Sequence, residues 1–145
     1  MIKPISNIIF SMNRPLQLEA YLESLYRHMP QKQIQTYIIY KIDLFKEQYS
    51  ELFERFSDCI VIKEQDFHHD FVDLIEQIDS KYILFGTDDV AYYDSVDFAV
   101  IEDAFSRSSN DIFGFSLRLS PQSIGEDYDE LTEMEIGGVV KRFTG

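Results

Sequence analysis

Two adjacent acids, Asp88 and Asp89, end the apolar run in "KYILFGTDDVAYYD", Lys81 to Asp94. Two unit charges about 4 Å apart interact by about 4 kcal/mol at an effective dielectric of about 20, so half-buried paired carboxylates call for a cation. Mg²⁺ and Mn²⁺ prefer oxygen ligands and take one or two carboxylates, with phosphate oxygens and water completing the shell. The plain alternative is a solvated turn, because adjacent acids are common in an acidic chain. Position favours the cation, since an apolar strand has no need of acids at its tip.

The elements that hold those acids follow from the apolar periodicity. "ISNIIFSM" (Ile5 to Met12) reads as a buried strand. "NRPLQLEAYLESLYRHM" then changes period and puts Leu18, Leu22, Leu25 and Met29 on one helical face, with Pro15 tolerable in the first turn. "TYIIYKI" (Thr36 to Ile42) is a second strand, followed by a helix with Phe45, Tyr49, Leu52 and Phe56 on one side. "CIVIK" (Cys59 to Lys63) is a third, and Asp66 is placed to cap a helix whose inner face is Phe67, Phe71, Leu74, Ile75 and Ile78. "KYILF" is the fourth strand; Asp94 or Ser95 is placed to cap a helix carrying Phe98, Ile101 and Phe105. "DIFGFSLRLS" (Asp111 to Ser120) alternates like a fifth strand.

Strands and helices alternating over short connections predict a mainly parallel sheet with helices on both faces. The acidic segment "SPQSIGEDYDELTEMEIGGVVKRFTG" then carries a hairpin signal, Gly137-Gly138 between "TEMEI" and "VVKRF". The expected division is an α/β domain over 1–120 and a C-terminal extension over 121–145, either a hairpin cap or the beginning of an acceptor region.

Open α/β sheets bind ligands beyond the carboxyl ends of their strands, where the strand order reverses. That rule selects Ser11, Asn13 and Arg14 after the first strand, Asp43 after the second, and Asp88 and Asp89 after the fourth. If the first and fourth strands are neighbours, these groups face one crevice. "SMNRPLQL" has no glycine, so the G-x-G-x-x-G approach to a pyrophosphate is absent, as is the P-loop. A phosphate ligand here would need a carboxylate-held divalent cation instead.

Three segments, "IIFSMNRPLQLEAYLESLYRH", "YIIYKID" and "YILFGTDDV", together resemble the nucleotide-binding half of glycosyltransferases with the GT-A fold. The first resembles the S-x-N-R-P start of the family-two type. The third resembles the D-x-D element in a T-D-D form, with Thr87 where many relatives carry another acid. The resemblance covers roughly Ile5 to Leu119 and implies a single-domain, Rossmann-like three-layer α/β/α fold. It implies a hexosyltransferase-like enzyme that moves a sugar from a nucleotide-diphosphate sugar, UDP-sugar favoured, to a glycan or other hydroxyl acceptor. By the same resemblance Asp89 matches the ligand of Mn²⁺ or Mg²⁺, and Asp88 the acid that hydrogen-bonds ribose or assists the metal. Asp43 matches the acid that contacts the base. Ser11, Asn13 and Arg14 lie in the loop that touches base and ribose.

The chain departs from that pattern downstream. An inverting transferase needs a general base for the acceptor hydroxyl. The stretch from Val90 to Gly145 leaves little room for an acceptor half, and Glu126, Asp127 and Asp129 are the acids in range. A solvated loop is the simpler reading of them, so Glu126 and Asp127 are weak candidates. The alternative function is therefore a non-catalytic or truncated nucleotide-sugar-binding module without acceptor site or base. A phospho-acceptor signalling domain ranks last, because it needs its acids at the tip of the first strand.

Composition excludes other classes. With 26 acids against 13 basic residues, a net charge of -13, and no basic cluster, the chain would repel nucleic acid. No apolar run approaches the roughly 20 residues of a membrane span, and the N-terminus lacks a signal-peptide pattern. One cysteine, Cys59, forms no internal disulfide and suits a cytoplasmic setting; beside "IVI" it reads as buried and inert. His68 and His69, adjacent on a helix, point about 100° apart and read as a solvated first turn rather than as metal ligands. Tyr92 and Tyr93 fit either ring stacking on a ligand or helix packing. Arg118 fits either a surface position or a phosphate contact.

Overall fold

A computed structural model describes residues 3–107, Gly114, Leu117 and the backbone of Leu131–Glu135 and Val139–Phe143. The elements run β1 (Ile5–Met12), α1 (Pro15–His28), a short 3-10 turn (Gln31–Gln33), β2 (Ile34–Lys41), α2 (Lys46–Arg55), β3 (Ile60–Lys63), α3 (Phe67–Gln77), β4 (Tyr82–Thr87) and α4 (Phe98–Arg107). Strands β5 (Leu131–Glu135) and β6 (Val139–Phe143) follow. The chain forms two compact units, Met1–Val96 and Asp97–Gly145.

In the first unit four parallel strands lie in the order β3-β2-β1-β4. The order reverses after β3: the chain has stepped outward from β1 to β3, and β4 returns to pair on the other side of β1. With crossovers of one hand, that reversal moves the connecting helix to the opposite face. Side chains of a strand alternate between faces, and the contacts show the two layers. Ile8, Ile39 and Leu74 form a core on the α3 face, with Phe10, Tyr37, Ile62, Phe71, Ile75 and Ile78 against it. On the other face Asn7 and Ser11 meet tyrosines of α1 and α2. The result is a Rossmann-like three-layer α/β/α unit.

Helix α1 is held by burial rather than by its ends. Its N-cap, Arg14, makes no side-chain cap hydrogen bond. Leu18, Tyr21, Leu22 and Leu25 are fully buried, each contributing about 1.5–3 kcal/mol of apolar burial. Tyr21 lies directly over Gly86 of β4, where a Cβ would stand 2.6 Å from its Cζ. No residue with a side chain fits there without moving the ring. A chain of polar contacts runs beneath α1: Tyr21 Oη donates to Asn7 Oδ1 at 2.8 Å. The Asn7 amide reaches Thr36 Oγ1 at 3.5 Å. Tyr26 Oη donates to the same Thr36 oxygen at 2.7 Å and meets Cys59 Sγ at 3.3 Å. Burial raises the Tyr21, Tyr26 and Cys59 ionisations above their ordinary values, keeping the network neutral.

Several local expectations need correcting. Strand β2 starts at Ile34, where it pairs with Ile5, and stops at Lys41, not Ile42. Phe45 is not on the inner face of α2. It is the N-cap residue, left-handed at φ 63° and half exposed, while Phe53 packs with Tyr40 and Tyr49. Phe67 keeps ring contact with Phe10 at 5.2 Å yet is nearly half exposed. Asp66 does cap α3, accepting from the His69 backbone N–H at 2.9 Å. In the second unit, α4 is capped by Asp97, whose carboxylate accepts from the Ala99 N–H; Asp94 binds the adjacent Ser95 N–H instead. The β5–β6 pair is antiparallel, from Glu135 opposite Val139 to Leu131 opposite Phe143; Gly137-Gly138, expected as the hairpin turn, lie outside the described residues. Of the fifth strand expected over 111–120, all but Gly114 and Leu117 lies outside the described residues, and those two are not in a strand.

Candidate functional site

The loops after β1 and β2 are joined into one support. At the end of β1 the chain turns through Asn13 in the left-handed region, φ 55°, a conformation asparagine tolerates better than most residues. Its side-chain oxygen accepts from the Asp43 and Leu44 N–H groups, both at 2.9 Å. Its own N–H donates to Lys41 O at 3.3 Å. Asp43 thus stands exposed on a turn whose backbone is fixed from the neighbouring loop.

Tyr49 of α2 supplies the second tie. Its hydroxyl lies 2.7 Å from Ser11 Oγ and accepts the Arg14 backbone N–H at 3.0 Å. Both Tyr49 and Ser11 are buried, so the Ser11 hydroxyl is committed to Tyr49. Sequence reasoning missed this role and read Tyr49 only as a core residue. The available signal was a hydroxyl-bearing ring on an inward stripe, where leucine or phenylalanine would suffice for packing.

The loop after β4 is held differently. Strand β4 pairs with β1 up to Phe10 opposite Thr87, so the acids that follow emerge beside the Ser11–Arg14 segment. Asp88 is 7% exposed. Arg14 Nη1 stands 3.6 Å from Asp88 Oδ1, with the arginine side chain 54% exposed and the aspartate side chain 9%. That separation is long for a hydrogen bond, and half the pair is in solvent, which screens it. Asp89 is exposed, and its Oδ1 accepts from Thr87 Oγ1 at 2.6 Å. The two adjacent carboxylates therefore occupy unlike settings, one buried opposite a guanidinium and one at the surface on a hydroxyl.

The structure brings together Ser11, Asn13, Arg14, Asp43 and Asp88 through this run of contacts, with Asp89 adjoining. Among the described residues no group of three or more His, Cys, Asp or Glu is placed to hold a metal ion. Asp88 and Asp89 offer two carboxylates, which suits a cation that keeps water and phosphate oxygens rather than one caged by protein alone. Glu126, Asp127, Asp129 and Arg118 lie outside the described residues.

The remaining candidates resolve into structural roles. His69 Nδ1 is 3.1 Å from Asp73 Oδ2, and Asp70 accepts the Gln65 and Asp66 N–H groups, so this segment builds the start of α3. Tyr92 packs edge-on against Tyr21 and its N–H donates to Ser24 Oγ, whereas Tyr93 is 89% exposed. Cys59 is partly buried, its thiol pushed up by desolvation, in keeping with an inert residue. An open groove between α1 and α2, lined by Pro15, Leu16, Gln48 and Arg55, contains none of the crevice residues.

No helix among the described residues is long and apolar enough to cross a membrane. No protein-family profile matches the chain. Over 124 residues the chain is 26% identical to the bifunctional glycosyltransferase pgtA of Dictyostelium discoideum. That alignment takes in 78% of this chain and 16% of the relative, so the chain spans about a sixth of the length of the protein it matches. It is a distant relative of a glycosyltransferase over part of its length, with a parallel α/β sheet that suits such a protein.

Proposed function

We propose that this chain is the nucleotide-sugar-binding part of a metal-dependent glycosyltransferase of the GT-A type, with the binding residues within 1–120 and a UDP-sugar as the favoured donor. One observation carries the reading: the loops after β1, β2 and β4 meet where the strand order reverses, and the Arg14–Asp88 pair joins the β4 loop to the other two. The distant relative, a bifunctional glycosyltransferase, supports it.

In this reading the fixed loops recognise the nucleoside. Asp43, exposed on the turn that Asn13 holds, accepts from the base; the Ser11–Arg14 segment lines base and ribose. Asp88 serves the ribose or the metal, and Asp89 is the metal ligand. A bound Mn²⁺ or Mg²⁺ would offset the charge of the departing diphosphate. The acceptor is a glycan or another hydroxyl compound. Because the chain spans so little of its relative, binding of the donor without transfer is the second reading.

A titration of Mn²⁺ with UDP and other nucleoside diphosphates, on wild type and Asp89→Asn, tests the site. Metal-dependent UDP binding is expected, with about a tenfold or larger loss in the variant, as removal of a charged ligand implies. Absence of binding to every nucleotide sinks the reading. Hydrolysis or transfer of a sugar nucleotide then separates an enzyme from a binding module.

A further inference from the structure

The Arg14–Asp88 pair presents a difficulty for any cation in this crevice. Asp88 is the most buried acid at the site, and it already faces a positive charge 3.6 Å away. A guanidinium and a divalent cation compete for the same carboxylate, because each neutralises the charge the other would bind. The geometry also shows how Arg14 could yield. Its backbone N–H is fixed on the buried Tyr49 hydroxyl. Its side chain is more than half exposed, and it meets Asp88 at a distance longer than a hydrogen bond. The anchor is rigid and the arm is loose.

We infer that Arg14 is a resident counter-ion that is exchanged on binding: in the protein alone its guanidinium balances Asp88, and on binding of a nucleoside diphosphate with a divalent cation it leaves Asp88 and pairs with the phosphate oxygens. This rests on the metal-dependent nucleotide site proposed above and adds an order to it. Asp88 is never left as a buried carboxylate without a positive neighbour, which would be costly. The released guanidinium suits its second partner, since its planar fork matches phosphate oxygens as well as carboxylate. In a chain with a net charge of -13, a local cation at the mouth of the crevice also offsets the field a diphosphate meets on approach.

The exchange predicts effects of opposite sign from one substitution, which a merely structural role does not. In Arg14→Gln, binding of Mn²⁺ alone, followed by paramagnetic broadening of backbone signals around Asp88, is expected to tighten by about fivefold, the scale of a partly exposed ion pair. Binding of UDP in saturating Mn²⁺ is expected to weaken by about fivefold or more. Arg14→Lys keeps the charge and should hold Mn²⁺ affinity near the wild-type value. Thermal midpoints of both variants check that each is folded. Weaker or unchanged Mn²⁺ binding in folded Arg14→Gln overturns the exchange, while wild-type binding of Mn²⁺ with UDP leaves the nucleotide site standing. Failure of the wild type to bind UDP with Mn²⁺ overturns both.

Discussion

The two sides of the crevice are built on different principles. On the β1–β2 side, the loops share hydrogen bonds through Asn13 and through the buried hydroxyl of Tyr49. On the β4 side, Asp88 is joined to that support by one long, half-exposed ion pair, and Asp89 has a local hydroxyl partner, Thr87. Short neutral hydrogen bonds between buried or backbone groups fix a geometry. A screened ion pair sets a charge balance and permits movement. The difference teaches that recognition and charge handling need not have equal rigidity: a site can hold its nucleoside-facing edge ready while its acidic edge responds to the ligand.

Mutations can break that comparison on either side. The largest effect is expected where β4 is set beneath α1: Gly86→Ala forces a Cβ into the Tyr21 ring, and overpacking of this kind costs about 3 kcal/mol, read as a lowered denaturant midpoint. Asn13→Ala removes two hydrogen bonds and a residue suited to positive φ, with an expected loss of about 2 kcal/mol. Asn13→Gly, which keeps the backbone freedom, should lose less, and equal losses would show that the side-chain bonds alone matter. Tyr49→Phe keeps the ring against Tyr40 and Phe53 and removes only the hydroxyl, costing about 1 kcal/mol of stability. If the rigid edge is as described, amide exchange in Tyr49→Phe rises at Arg14 and leaves β4 unchanged. A comparable or smaller stability effect, up to about 1 kcal/mol, belongs to Arg14→Gln, which takes from Asp88 its screened positive neighbour. Its ligand-binding effects are the sensitive readout.

The architecture was legible because it depends on periodicity. The stripe Leu18, Leu22, Leu25 and Met29 is buried as its spacing demands, and the strand–helix alternation produced the parallel sheet. The rule for switch points groups Ser11, Asn13, Arg14, Asp43, Asp88 and Asp89 from strand order alone, and the structure sets Arg14 beside Asp88 and the Asn13 side chain on the Asp43 N–H. What could not be read is which contacts each side chain makes. Phe45 fits an inward helical position by spacing, yet it sits in the turn that begins α2. Periodicity carries no information on the backbone angles of a cap. Asn13 and Ser11 were selected as ligand contacts, and the structure commits an Asn13 oxygen and the Ser11 hydroxyl to neighbouring loops. Tyr49 sits 35 residues from Arg14 in sequence, and such partnerships become visible only when α2 is laid on the sheet. The cap at Asp97 rather than Asp94 or Ser95 is a smaller miss of the same origin.

The polar chain beneath α1 has a consequence for proton placement. Tyr21 gives its hydrogen to Asn7, Asn7 gives one to Thr36, and Tyr26 gives its own to the same threonine oxygen. With the Tyr26 hydrogen directed to Thr36, the 3.3 Å contact with Cys59 is one in which the neutral thiol can donate. The chain therefore runs inward to Thr36 from both ends, and the orientation of the Asn7 amide is dictated by its neighbours. Cys59 stands at the outer end as the residue whose hydrogen completes the count. To become a thiolate it would have to place a charge in a partly buried position, a cost that outweighs any help from the Tyr26 hydroxyl. The one sulfhydryl of the sequence is thus kept neutral by its partial burial, at the outer end of a chain whose other hydrogens point inward.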